Sequence, residues 1–193
     1  MEISFCSDGH AYALDGKPVP SVTRVLEFAG VASTEWVQQY YLDRGTALHL
    51  ACHLDDAGTL DMATVDECIL KPLEAWRNFK RDTGIKVLHS EKIVGSKIAG
   101  GYAGTLDKII RWPNGQVDLL DLKHGQSAPP AVRYQLAAYA CAAFSMGMPT
   151  KVRYSLALRQ DSTYRLKDWS DPSDIGQFIE WLKSYWEAAR LSA

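Results

Sequence analysis

The sequence predicts a mixed β-sheet flanked by helices, an α/β or α+β fold, and three observations point to it. Gly104 to Lys123 reads GTLDKIIRWPNGQVDLLDLK, two strands joined by a tight turn in which Asn114-Gly115 follows Pro113. In the second of these strands Leu120 and Leu122 alternate with Val117, Leu119, Asp121 and Lys123, so both faces are apolar, as in a central strand covered on each side. Helical patterns lie before and after this hairpin, giving the order hairpin, helices, three consecutive strands, helix, two strands, helix.

Each element has a local justification. Ile3 to Val19 reads as a small hairpin punctuated by Asp8-Gly9 and Asp15-Gly16. Ser21 caps a short helix that ends near Gly30. A second helix is expected from Ser33 or Thr34 to Asp56, with Gly58 just past its end, and a further helical region from Asp61 to Thr83, broken or kinked near Pro72 and closed by Gly84. Ile85 to Ala99 reads as a strand pair or one bent strand. Gly125 to Pro130 is a loop leading into the helix AVRYQLAAYACAAF, and VRYSLALR and STYRLKDW are two strands joined around Gln160-Asp161. Asp171-Pro172 opens the last helix, whose Ile175, Phe178, Ile179, Leu182 and Trp186 recur at helical spacing.

The 193 residues, 47% hydrophobic and 23% charged, fit one domain (1–193) with a hairpin-and-helix part (1–84), a central sheet and helix (85–147) and closing strands and helix (148–193). A net charge of -2 gives no global basic signal, so any nucleic-acid binding must come from a local groove. Cys6, Cys52, Cys68 and Cys141 form no CxxC pair, which argues against zinc or an iron-sulfur cluster and fits reduced thiols in a cytosol. No signal core and no run of transmembrane length is present, so no membrane partner is expected.

Asp121 and Lys123 point to one face of a covered strand, where an isolated carboxylate and an ammonium are each costly to desolvate. One reading is a structural ion pair at a strand end. The other is a divalent cation held by Asp121 and by Asp107 on the neighbouring strand, with Lys123 facing an anionic substrate. His49 and His53 share a helix face, but Leu50 stands where a zinc-protease helix needs Glu. Gly45 and Ala47 are small enough to let this helix approach a sheet so that the imidazole reaches a metal. Ser21, Thr23 and Arg24 at a helix start suit a phosphate, although nearly every helix has a capping residue. Glu91 sits among apolar residues of a strand, and Gln135 and Tyr139, four apart, share a helix face.

Taken in order, Gly45-x3-His49, Glu91, Gly104-x2-Asp107, Asp121-x-Lys123 and Gln135-x3-Tyr139 resemble the RecB-like branch of the PD-(D/E)xK nuclease superfamily. LDGKPVPSVTRVL also looks like the opening of phage-encoded, exonuclease-like members. The resemblance spans about residues 12 to 140. It implies a restriction-endonuclease-like core and a metal-dependent DNA nuclease, of the phage or prophage exonuclease type, acting in DNA recombination, repair or processing. An endonuclease of the same superfamily is the alternative, and an inactive nucleic-acid-binding or assembly protein on a nuclease fold is the alternative of another class.

Residue by residue, the resemblance implies one or two magnesium or manganese ions held by Asp107, Asp121 and His49, with the main-chain carbonyl of Leu122 as a further ligand. Lys123 matches the catalytic lysine, Glu91 an acidic position supporting the metal site, and Gln135 and Tyr139 the helix that contacts substrate. The branch's iron-sulfur cysteines are not matched, and no helicase domain accompanies the nuclease. The implied partners are DNA, duplex or single-stranded, and a recombination or single-strand-binding protein, with homo-oligomerisation left open. The implied location is the cytoplasm of a bacterial or phage-infected host cell. Arg24, Lys97 and Arg133 are the basic residues nearest the motifs and the candidates for backbone phosphate contacts.

Overall fold

The computed structural model describes residues 1–7, 9–32 and 39–191. The first segment is a three-stranded antiparallel meander, β1 (Ile3–Cys6), β2 (Ala11–Leu14) and β3 (Lys17–Val19). It has one strand more than the expected hairpin. Gly16, at φ +76°, turns the chain back so that Lys17 to Val19 pair with β2, and Pro18 is tolerated because β3 is an edge strand. Helix α1 (Val22–Phe28) follows, with Ser21 Oγ accepting from the Arg24 N–H at 3.0 Å.

Helix α2 (Gln39–Ala57) ends one residue before Gly58, as the sequence indicates, while its expected start at Ser33 or Thr34 lies outside the described residues. Helix α3 (Glu67–Thr83) runs through Pro72 without a break. A proline here frees the carbonyl four residues earlier, that of Cys68, and the Gln160 side chain satisfies it at 2.9 Å. Gly84, at φ +67°, closes the helix.

A five-stranded mixed sheet carries the rest: β4 (Lys86–Ser96), β5 (Tyr102–Arg111), β6 (Val117–His124), β7 (Arg153–Leu158) and β8 (Tyr164–Asp168), paired in that order. Neighbours are antiparallel except β6 and β7, whose parallel pairing is made by a crossover through helix α4 (Val132–Ser145). Helix α5 (Ser173–Leu191) closes the described chain. The alternation expected of a covered strand holds. Leu119 and Ile109 face one core with Val22, Leu136, Tyr139, Phe178 and Leu182. Leu120, Leu122 and Ile110 face the other with Leu48, Ile69, Leu73, Trp76 and Phe79. The sheet therefore lies between α1, α4 and α5 on one side and α2 and α3 on the other, the α+β arrangement the sequence predicts.

Gly104 sets the approach of α4 to the sheet. A methyl group at that position would lie 2.8 Å from Tyr139 Cε1 and 3.3 Å from Val22 Cγ2, and both neighbours are buried. Gly104→Ala is expected to overpack this contact by about 1–3 kcal/mol. Thermal unfolding followed by circular dichroism should show Tm lower by roughly 3–10 °C, on the usual scale for a chain of this size.

Candidate functional site

β5 and β6 pair from Arg111 opposite Val117 to Lys108 opposite Leu120, and the ladder then stops. Two residues on, Leu122 meets side chains on its β5 edge instead of a strand. Its N–H donates to Asp107 Oδ2 at 2.6 Å, and its carbonyl accepts from His49 Nε2 at 3.0 Å. Since a carbonyl only accepts, Nε2 carries the proton, and Nδ1 is left facing Asp107 Oδ1 at 3.4 Å and Glu91 Oε1 at 3.8 Å. One ligand atom each from His49, Glu91 and Asp107 lie within 4.8 Å of one another.

Glu91 reaches this group by an irregularity in β4. The register slips between Val87 and His89, and Glu91 itself has φ +50°, a left-handed conformation costing a non-glycine residue on the order of 1–2 kcal/mol. Of the expected strand pair or one bent strand, the structure has a single strand, irregular near the site. Glu91 Oε1 is buried and makes no hydrogen bond.

The electrostatics follow from crowding three acids and one imidazole where Asp107 and Asp121 are buried and Glu91 and His49 are partly exposed. Burial lifts the Glu91 carboxyl from its ordinary range to about 7, and Asp107 adds to the lift. Burial likewise raises Asp121 to about 6, with Lys123 opposing and Asp107 reinforcing. For His49, burial works against a charge, but Asp107 outweighs it and holds the imidazolium up to about 9. Asp107 would rise through burial too, yet His49 keeps it below the usual carboxylate value.

Asp121 stands beside this group and is held by Lys123, whose Nζ lies 3.0 and 2.9 Å from its two oxygens. The Leu122 carbonyl, expected as a ligand, faces the His49 ring. Tyr139 is buried, and its hydroxyl accepts from Gln135 Nε2 at 3.4 Å. Gly45 meets no atom within 4 Å of where a Cβ would stand, so the approach of α2 to the sheet does not depend on its small size.

The anticipated substrate contacts divide. Ser21, Thr23 and Arg24 line a cleft of about 1190 Å³ with His10, Tyr185 and Trp186. Its wall connects to β5, because the Tyr12 hydroxyl lies 3.2 Å from His10 Nε2 and 3.0 Å from the Thr105 hydroxyl, two residues before Asp107. Arg133 instead ties α4 to the start of α5, with Nε and a terminal nitrogen each 2.6 Å from Asp174 Oδ1 and that nitrogen 3.0 Å from Asp171 Oδ2. Lys97 pairs with Asp15.

Behind the site lies a polar group that the motifs did not flag. Lys108, fully buried, contacts Asp56 Oδ2 at 2.8 Å and donates to Ser90 Oγ, which also meets His53 Nδ1 at 2.8 Å. Two signals for it were in the sequence: an ammonium inside the apolar run LDKII, and Asp56 two helical turns after His49.

No family model matches the chain, and no curated protein matches it significantly. Among solved structures, it is similar to a candidate exonuclease from Eubacterium rectale, at 9% identity over 83% of this chain and 69% of the other, with a TM-score of 0.47. It is also similar to an alkaline exonuclease from Laribacter hongkongensis, at 15% identity over 90% and 92% of the two chains, with a TM-score of 0.44. At such low values nothing about the chemistry follows from either.

The raised Glu91 carboxyl has a consequence for the metal-free protein. The folded state favours the protonated form, so ionising Glu91 costs stability. That cost is absent below about 4.5, grows through the window up to about 7 and is complete above it. With chelator present, Glu91→Gln should raise Tm at pH 8 by about 2–4 °C, the shift expected for ~1 kcal/mol. The same variant should show no gain at pH 4.5.

Proposed function

We propose that this chain is a metal-dependent deoxyribonuclease that hydrolyses phosphodiester bonds, acting as an exonuclease of the kind used in DNA recombination, repair or processing. The observation that carries this reading is the His49–Glu91–Asp107 group beside the Asp121–Lys123 pair, in the order that resembles PD-(D/E)xK nucleases. Its donor set fits a hard divalent cation. Carboxylates and one imidazole suit magnesium or manganese, no thiol is among them, and the orphaned Glu91 Oε1 is aimed at its partners. Asp107, His49 and Glu91 would hold the ion, with Asp121 contributing from the adjoining strand.

Bound there, the cation would screen the phosphate's negative charge and acidify a water. The chain's own groups do the rest. The Leu122 carbonyl fixes the His49 ring by accepting from Nε2, which leaves Nδ1 to face the ligand group. Although burial works against the Lys123 charge, Asp121 holds its ammonium above the ordinary value, so it keeps its proton and can orient the attacking water and offset charge growing on the phosphate. Gln135 and Tyr139 line the substrate side on α4. Ser21, Thr23 and Arg24 receive the DNA backbone along the neighbouring cleft, and Arg133, already held by two aspartates, contributes less.

End-labelled linear duplex, single-stranded and circular DNA, each incubated with magnesium, manganese or chelator, tests the reading. Linear substrate should be degraded with either metal and untouched in chelator, and cleavage undiminished by chelator would overturn the metal mechanism. Cutting of a closed circle would assign an endonuclease instead. Asp107→Asn should abolish turnover, and Lys123→Ala should lower it by about a hundredfold, the scale of one lost electrostatic stabiliser, while DNA affinity changes much less.

Salt dependence separates the two arginines. Each phosphate contact contributes about 0.7 to 0.9 to the slope of log affinity against log salt. Arg24→Ala should flatten the slope by roughly one such contact. Arg133→Ala should leave the slope unchanged in filter-binding titrations, because its charge is already matched by Asp171 and Asp174.

A further inference from the structure

The three residues of the ligand group sit on three different elements: His49 on α2, Glu91 on β4 and Asp107 on β5. At this point β5 and β6 have parted. β4 and β5 stay paired on either side of Glu91, at Ser90–Lys108 and Lys92–Leu106, but Glu91 itself is in a left-handed conformation, and His49 comes from a helix outside the sheet. Something must hold the Glu91 side chain and His49 against Asp107.

One side chain touches the neighbours of all three. Lys108 follows Asp107 on β5. Its Nζ contacts Asp56 Oδ2 at 2.8 Å, and Asp56 lies seven residues after His49 on the same face of α2. The same Nζ donates to Ser90 Oγ, and Ser90 immediately precedes Glu91 and pairs with Lys108 across the β4–β5 ladder. An ammonium cannot accept, so the Ser90 oxygen accepts from Lys108 and its own proton is available to His53 Nδ1, four residues after His49 on α2. Lys108 has no exposed surface, so it makes no contact with solvent or substrate. The Trp76 ring lies 5.6 Å from Nζ, and Asp56 also accepts from Trp76 Nε1 at 3.0 Å and from Lys80 Nζ at 2.7 Å.

We propose that Lys108 is a positioning residue of the metal site, joining α2 through Asp56 and β4 through Ser90 so that His49 and Glu91 are presented to the cation beside Asp107. The proposal rests on the metal-site reading above and adds to it a group that does not touch the ion. A residue of this kind acts by pre-organising ligands, and losses at comparable supporting positions weaken metal affinity by about 10–100-fold.

Mn2+ titration of the full chain, with free Mn2+ read by its EPR signal and with the metal-free Tm measured in parallel, tests this. Ser90→Ala removes the link to β4 with the smallest change in volume. It should weaken Mn2+ binding by about tenfold or more at a metal-free Tm close to wild type, and Ser90→Thr should restore binding. Lys108→Met should weaken binding at least as much, and adding Ser90→Ala to it should cost less than the sum of the two single losses, since both remove the Lys108–Ser90 contact and only the Ser90–His53 contact is lost anew. If Lys108→Met does not fold, the Ser90 pair still decides. Ser90→Ala that lowers the metal-free Tm but binds Mn2+ as wild type does would overturn the proposal and make the network merely structural. A wild-type chain that takes up no Mn2+ would overturn the metal-site reading and this proposal together. Wild-type uptake with unaffected variants would overturn this proposal alone.

Discussion

The site depends on one hydrogen bond, from the Leu122 N–H to Asp107 Oδ2 at 2.6 Å. Where β5 and β6 separate after Lys108 and Leu120, the backbone of β6 would lose its partners on that edge, and a buried N–H or carbonyl left unpaired is costly. Side chains take over the ladder's role. Asp107 accepts from the N–H and His49 donates to the carbonyl, so the same two groups that close the gap in the sheet face the ligand cluster with their remaining atoms. The opening of the sheet and the assembly of the site are one structural event. On its other edge β6 stays paired with β7 as far as His124, which keeps Asp121 and Lys123 on a rigid strand while the β5 side opens.

The charge arrangement explains why such a place would attract a cation. Asp107, Asp121 and Glu91 crowd together, the first two buried and Glu91 partly exposed, and two of the three are lifted above the carboxylate range by burial and by the Asp107 charge. Burial opposes a charge on His49, but Asp107 outweighs it, so its pKa is raised too and it takes a proton on the face directed at Asp107 and Glu91. That imidazolium, with Lys123, balances the acids in the metal-free chain. A divalent ion would replace it with a larger charge among the same oxygens, which is why metal affinity at sites of this type is linked to proton release.

The parts of the site legible in the sequence are those governed by strand and helix period. Asp121-x-Lys123 on an apolar strand fixes one face, the Asn114-Gly115 turn fixes the neighbouring strand, and Gly104 three residues before Asp107 marks the close approach of Tyr139. What stayed hidden depends on breaks in those periods. Glu91 is named only through the resemblance; it joins His49 and Asp107 by way of a left-handed residue in an irregular strand, which no alternation pattern reveals, whereas Asp121 pairs with Lys123. The interior proline of α3 is accommodated by Gln160, distant in sequence, so the local rule for Pro72 fails for a tertiary reason. Arg133 looked like a free cation beside Gln135 because the aspartates that hold it come from the start of α5, about forty residues away.

Local rules are therefore broken several times in one small region: a non-glycine residue at positive φ, an interrupted ladder, acids without enough partners, and a lysine with no exposed surface. A well-packed apolar side chain of similar volume often serves stability as well as or better than a buried ion pair, so the Lys108–Asp56 pair is weak evidence for a purely stabilising role. Chains keep such costs where the surrounding fold over-determines them and where they serve a site. Here all of them border Asp107. The unstrained cores on both faces of the sheet, built from regular alternation and helical stripes, supply the stability against which this local strain is held.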